Sequence, residues 1–345
     1  MRRSENHVSA TTRRAVLRTA AGLSAVPLLA GTTAAAAPGE DEILRQMADA
    51  FGQQLRSPIM HTPAEQGLDY EDVTFQAIDG VPIEGWFIPA RGSDRLIIAN
   101  HPMGFNRSGL PGHLEPWTSI WSSSGNDIEV DLVPDYKILH DAGYNVLAYD
   151  LRNSGLSGAA NGGIASSGIF ESRDVLGSLR YARERRDTKG MRIGLFSRCL
   201  GCSSTFHAMS REPRAFEGVR CLVGPQPVTM EVIMARRLVM AGVPADRIDE
   251  LERLVVLRTG IPFAARQPRE WAKGGAGSDV PVPGARRHAH ASERRAGDVR
   301  QHPGRRQEAP MGTRHEPPLR RLPGVPAAAA ADAGVVRVPH ELNRC

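Results

Sequence analysis

The stretch "RIGLFSRCLGCSSTFHAM", Arg192 to Met209, decides the fold. Arg192–Ser197 is a short apolar run of the kind a strand buried on both faces shows, and the residues from Cys199 onward read as a helix. Joined at "SRCLG", they predict a sharp strand-to-helix turn with Cys199 at its tip. Such a turn forces the tip residue into strained backbone angles and crowds the positions two before and two after it, so small residues are needed there. Ser197 and Gly201 supply them. No other centre fits as well: Ser197 has Leu195 two before it and Cys199 two after, while Ser203 and Ser204 fall inside the helix. At the helix N-terminus, backbone N–H groups and the dipole are expected to lower the Cys199 thiol's pKa and create a thiolate nucleophile. The Leu200 N–H would then face a developing oxyanion.

Working outward, "RLIIAN" (Arg95–Asn100), "YNVLAYD" (Tyr144–Asp150) and "VRCLV" (Val219–Val223) are further buried-strand patterns. "DVTFQAIDGVPIEGWFIPA" is two alternating runs around Asp79-Gly80, a hairpin signal. Helices are predicted over Glu40–Arg56, from the spacing of Ile43, Leu44, Met47, Phe51 and Leu55, over "DYKILHDAG" closed by Gly143, and over Ser172–Arg185. Strands alternating with helices give an α/β class with a mostly parallel sheet covered on both faces. Residues 228–268 read as helices without an intervening strand, the pattern of a cap over the sheet's carboxyl edge.

Two loops complete the picture. "HPMGFNRSG" follows the first buried strand, where a second oxyanion N–H is supplied, at Met103; its His101 is read as a structural or supporting group rather than the base. "DLRNSGLSG" follows the next strand, with Asp150 and Arg152 read as a structural ion pair. Together these residues resemble the α/β-hydrolase superfamily over about residues 71–273. A cysteine at the elbow is similar to dienelactone hydrolases, and the helical insert resembles acyl-peptidase and esterase relatives. The resemblance implies an α/β-hydrolase fold that cleaves an ester, lactone or small acyl bond of a small-molecule substrate. Cys199 would attack the carbonyl, the Met103 and Leu200 N–H groups would hold the oxyanion, and a histidine held by an aspartate would move the proton. No metal or cofactor is implied. Two other readings stay open: a non-catalytic hydrolase-fold protein in which Cys199 only packs, and a thiol-disulfide protein using Cys199 and Cys202. Against the second, several sheet elements precede "CLGC", whereas a thioredoxin-type motif opens a small domain.

Charge removes the nucleic-acid class. The formal net charge is +5, but residues 1–37 carry +4 and residues 274–345 carry +5, which leaves −4 on residues 38–273. The first basic block belongs to "TTRRAVLRTAAGLSAVPLLAGTTAAAA" (Thr11–Ala37), which resembles a twin-arginine signal: Arg13 and Arg14, a short apolar stretch, then small residues suited to cleavage. That stretch is too short and too rich in Ala and Gly for a stable membrane anchor. The expectation is export by the twin-arginine machinery to a secreted or periplasmic destination. Residues 1–37 are thus read as a signal peptide, 38–227 as the hydrolase core, 228–268 as the cap and 269–345 as an aberrant tail.

The hydrolase order requires an acid and then a histidine on the last two strands, after the cap. The 72 residues after Lys273 contain no Phe, Tyr, Trp, Ile or Lys, and 42 of them are Arg, Ala, Gly or Pro, a composition that builds neither strands nor a core. These four residues are those of GC-rich codons. Back-translated and read one nucleotide on, Gly277–Ala291 permits "VPTFLYQVHDDTL", a buried strand followed by paired aspartates. Met311-Gly312 forces a tryptophan, the codons after it permit a loop containing a histidine, and Ala331–Leu342 permits an amphipathic helix followed by a stop. A disordered basic tail is the ordinary explanation of such a composition; the sharper expectation is a frameshift near Lys273, genuine or a sequencing error, that replaced the last two strands. As written, the chain is then expected to have little or no activity.

Overall fold

Leu96 and Ile98 pack on one face of their strand while Ile97 and Ala99 pack on the other, so the unbroken apolar run is what a strand covered on both sides requires. A computed structural model describes residues 38–122 and 125–275. The segment read as a signal peptide and the tail after residue 275, where a frameshift is expected, lie outside the described residues.

In chain order, α1 (Glu40–Gly52) precedes β1 (Glu71–Gln76) and β2 (Pro82–Ile88), an antiparallel pair joined through Asp79 and Gly80. Gly80 sits at φ +85°, a conformation that explains a glycine in this turn. After β3 (Arg95–Asn100) comes a small ribbon, β4 (Gly109–Pro111) with β5 (Glu129–Asp131), interrupted by α2 (Trp117–Trp121). Then follow α3 (Val133–Asp141), β6 (Asn145–Tyr149), α4 (Ser172–Glu184), β7 (Arg192–Ser197), α5 (Leu200–Arg211) and β8 (Val219–Val223). The sheet order is β1-β2-β6-β3-β7-β8, with β2 antiparallel to β6 and the β6, β3, β7 and β8 strands parallel. This is the α/β-hydrolase fold through its sixth strand.

Val133, Tyr136 and Leu139 of α3 pack on one face of the sheet, and Val175 and Leu179 of α4 with Leu200 and Ala208 of α5 pack on the other. The neighbouring strands β3 and β7 therefore send their chains to opposite faces. Such a reversal at the carboxyl edge is the place where open α/β sheets bind ligands.

The residues after β8 form α6 (Met230–Met240), α7 (Ile248–Thr259) and α8 (Pro268–Gly275). Met230, Met234, Leu238, Leu251, Val255 and Phe263 close a third apolar cluster together with Leu44, Ala48 and Phe51 of α1. Fully burying a side chain of this size stabilises by roughly 1.5–3 kcal/mol, so the cluster unites the two segments. The opening helix thus belongs with the cap helices. It ends at Gly52 and not at Arg56: the chain turns extended at Gln53, and the Arg56 guanidinium instead donates to the carbonyls of Gly155 and Ser157. At the far end, helical structure runs past residue 268 to Gly275, begun by Pro268 at a position that needs no N–H donor. Trp271 anchors it, its ring 4.7 Å from that of His207 on α5. Among the described residues, no helix is long and apolar enough to cross a membrane.

Candidate active site

Asn100 at the end of β3 is in register with Ser197 at the end of β7, so the segments His101–Met103 and Arg198–Cys199 leave the sheet side by side. Cys199 stands between β7 and α5 at φ 49° and ψ −107°. A non-glycine residue in such a conformation costs on the order of 1–3 kcal/mol and persists only where its surroundings impose it. Here the backbone imposes it from two directions: Arg198 N–H donates to the Asn100 carbonyl at 3.0 Å, Cys199 N–H to Pro225 at 3.0 Å, and Gly201 N–H to the His101 carbonyl at 3.2 Å.

The two small residues have separate reasons. Ser197 is buried and its hydroxyl accepts from Asn100 Nδ2 at 2.6 Å and meets Thr205 Oγ1 at 2.9 Å. Gly201 leaves room for the neighbouring strand, since a Cβ there would lie 2.5 Å from Asn100 Cβ and 2.9 Å from its backbone. Gly201→Ala is expected to cost about 1–3 kcal/mol through overpacking against backbone that cannot retreat. Urea denaturation measures it, and an unchanged midpoint would show that the elbow has slack.

The Cys199 thiol is turned toward the backbone N–H groups of Met103 and Leu200, the two amides picked out in the sequence, one from each loop. Its pKa corrects an expectation. Burial raises it above the ordinary thiol value, while the Met103 and Leu200 N–H groups pull the other way with smaller effect. The helix terminus acts in the expected direction, and desolvation of the thiol outweighs it. Left to itself, Cys199 is a thiol at neutral pH.

His101 is fully enclosed and both ring nitrogens are engaged. Nδ1 lies 2.7 Å from the Pro102 carbonyl, to which it donates, and Nε2 accepts the Leu151 N–H at 2.9 Å. Burial drives its pKa down to about 4, so the ring is neutral and its acceptor nitrogen is already used. It ties the β3 loop to the turn after β6. His207 is likewise pushed to about 4 by burial and faces Trp271 and Ser172. Among the described residues, neither a histidine nor a carboxylate reaches the Cys199 sulfur.

Asp150 and Arg152 do not pair with each other. Asp150 is buried under the β3 loop, where it accepts the Arg107 N–H at 2.7 Å and the Leu156 N–H at 2.8 Å and pairs with the Arg107 guanidinium. Gly155 is required beside it, since a Cβ there would come within 2.2 Å of the Asp150 carboxylate. Arg152 points to the β1–β2 turn and to α4, bonding Asp79 at 2.8 Å and Asp174 at 2.8 Å. The bend after β6 sends the two side chains apart, which nearness in sequence does not reveal. Arg198, unremarked in the sequence, donates to Asp135 at 2.5 Å and so fastens the elbow to the start of α3. Among the described residues, no group of three or more His, Cys, Asp or Glu is arranged to hold a metal ion.

No protein-family model and no curated protein matches this sequence. Among solved structures, an esterase from Pyrococcus furiosus is 22% identical over 59% of this chain and 68% of its own, with a TM-score of 0.43. A dienelactone hydrolase from Anabaena variabilis is 14% identical over 55% of this chain and 82% of its own, with a TM-score of 0.32. An α/β serine hydrolase without a lid, from Xanthomonas campestris, is 17% identical over 50% of this chain and 66% of its own, with a TM-score of 0.31.

Proposed function

We propose that this chain descends from an exported α/β hydrolase that cleaves an ester, lactone or small acyl bond through Cys199. One observation carries the reading: a cysteine held at φ 49° above the sheet's carboxyl edge, with the N–H groups of Met103 and Leu200 both turned to its sulfur. In the proposed reaction the Cys199 sulfur attacks the carbonyl carbon and the oxygen takes up negative charge between those two amides. The leaving group departs as the thioester forms, and water then hydrolyses the thioester. The base that removes the thiol proton and activates the water is a histidine oriented by an aspartate, carried on strands after the cap and lost from this chain by a frameshift near Lys273. Export through the twin-arginine route is part of the proposal and rests on Arg13, Arg14 and the residues that follow them.

The thiol-disulfide alternative has weaker support. Cys202 is fully buried, and burial together with the neighbouring Cys199 pushes its thiol up to about 12.

A chain with a nucleophile and oxyanion donors but no base should acylate once and stop. Incubation with p-nitrophenyl acetate is expected to place one acetyl group on Cys199, with release of one equivalent of p-nitrophenolate, followed by stalling. Because burial holds the thiol up, the acylation rate should keep climbing as pH passes the ordinary thiol range, with no plateau near neutrality. Peptide mass spectrometry locates the label and Cys199→Ser should remove it. An unlabelled Cys199 at pH 10 would falsify the nucleophile reading.

A further inference from the structure

The two N–H groups that face the Cys199 sulfur are not held equally well by the backbone around them. Leu200 begins α5, and the elbow before it is fixed by the bonds of Arg198, Cys199 and Gly201 to the neighbouring chain. Met103 instead stands in a turn closed by one long bond, from the Phe105 N–H to the Pro102 carbonyl at 3.3 Å, beside which the Ser57 hydroxyl donates to the Gly104 carbonyl at 2.5 Å. An oxyanion donor has to lie about 2.7–3.1 Å from the oxygen it holds, so a small displacement of this turn takes the Met103 N–H out of reach.

The Met103 side chain supplies the missing restraint. Half-buried, it packs against two clusters at once: the sheet cluster that contains Leu195, Leu200 and Ala208, and the cap cluster that contains Phe51, Met230 and Met234. Among the described residues, no other partly buried apolar side chain bridges two clusters. An unbranched thioether suits such a seam because it fills irregular gaps. A second contact reaches the same turn from the cap. The Trp121 ring lies so near Gly104 that a Cβ there would be 2.9 Å from Trp121 Cζ2, and the Arg237 guanidinium of α6 covers that ring at 4.7 Å from its centre. The cap therefore reaches two successive residues of the turn, Met103 directly and Gly104 through Trp121.

We propose that Met103 is a positioning residue as well as a donor: its side chain, wedged between sheet and cap, holds its own N–H on the Cys199 sulfur, so that the cap sets the competence of the oxyanion site. The proposal rests on the reading of Cys199 as the nucleophile and assigns the control of that same site. A shift of α6 would carry Met103 with it and leave a sulfur that can still be alkylated but is poor at acyl transfer.

The test compares two reactions of one sulfur in the chain as it stands. Iodoacetamide alkylates Cys199 by displacing iodide from a tetrahedral carbon and builds no oxyanion, whereas p-nitrophenyl acetate acylates it through one. Both rates are followed by peptide mass spectrometry at the same pH. Met103→Ala should lower the ratio of acylation to alkylation about tenfold, less than the loss of a whole donor because the N–H is displaced and not removed. Met103→Leu, which keeps the bulk, should restore most of the ratio. Met234→Ala, a change within the cap cluster, should lower it in the same direction. Met209→Ala, which trims a methionine packed on the sheet cluster alone, should leave it unchanged. Each variant is first shown to be folded by circular dichroism, and if Met103→Ala is not, Met103→Val replaces it with the same expectation. An unchanged ratio in Met103→Ala or in Met234→Ala, or an equal fall in Met209→Ala, overturns the proposal. If neither reagent labels Cys199 in the unmodified chain, the nucleophile reading fails instead. The positioning is then decided by amide hydrogen exchange: Met234→Ala should speed exchange in the peptide spanning His101–Phe105, and unchanged exchange overturns it.

Discussion

A chain whose reading frame is restored after Lys273 is expected to hydrolyse p-nitrophenyl acetate roughly a thousandfold or more faster than the chain as it stands, with Cys199→Ala returning the rate to background. The size follows from what each part supplies. A nucleophile with its oxyanion donors but no base or acid retains only a small residual rate, and members of a triad act as a unit, so most of the catalysis returns when the missing pair does. The raised Cys199 thiol sharpens the expectation. Without a base, attack must wait for the small thiolate fraction; with an imidazole in contact, the proton moves during attack, and the pH profile should flatten near neutrality. Both chains are to be shown folded by circular dichroism before their rates are compared. A folded, restored chain no faster than the original sinks the proposal that the acid and histidine lie there. Resequencing the nucleotides around Lys273 decides separately whether the shift is real.

Local constraint explains which parts were legible in the sequence. β3, β6 and β7 could be read because burial on both faces forces an unbroken apolar run, and the ends of β7 and β8 fell at Ser197 and Val223 as expected. The elbow could be read because its crowding is met within five residues, and the 2.5 Å approach to Asn100 at Gly201 is that crowding in atomic terms. What depended on distant partners could not. The apolar stripe of α1 announces a buried face but not that Met234 and Val255, some two hundred residues on, will cover it. Trp121 lies in a Gly- and Ser-rich connection with no periodic pattern, and its contact with Arg237 joins two segments that nothing local relates. The direction of the thiol pKa is hidden from the sequence for a similar reason: the helix terminus is local, whereas the burial that outweighs it comes from residues distant in the chain.

Arg152→Leu is expected to be the most damaging single change to stability, about 3–5 kcal/mol, because it strips the counter-charge from a carboxylate that cannot reach water. Arg152 and Asp174 are both wholly buried, and Arg152 also bonds Asp79 and Asn161, so this one guanidinium joins the β1–β2 turn, the bend after β6 and the start of α4. The replacement preserves much of the volume and removes the charge, leaving Asp174 to be buried as an ion or protonated. The pH dependence carries the sign. Arg152 chiefly, with Arg173, holds Asp79 down to about 2, below its unfolded value near 3.8. Its contribution is therefore present above the unfolded pKa and is lost as pH falls from about 4 toward 2. In Arg152→Leu, Asp79 should return toward the ordinary range and that acid-side gain should shrink. Burial already raises Asp174 to about 7 against the pull of Arg152, so losing that partner should raise it further and the variant should lose more stability than the parent as pH rises through the range where the carboxylate ionises. Urea denaturation at a series of pH values separates the two slopes. Adding Asp174→Asn should recover part of the loss at neutral pH and flatten the variant's slope there. A double variant no more stable than Arg152→Leu alone would show that the lost packing, and not the stranded charge, dominates.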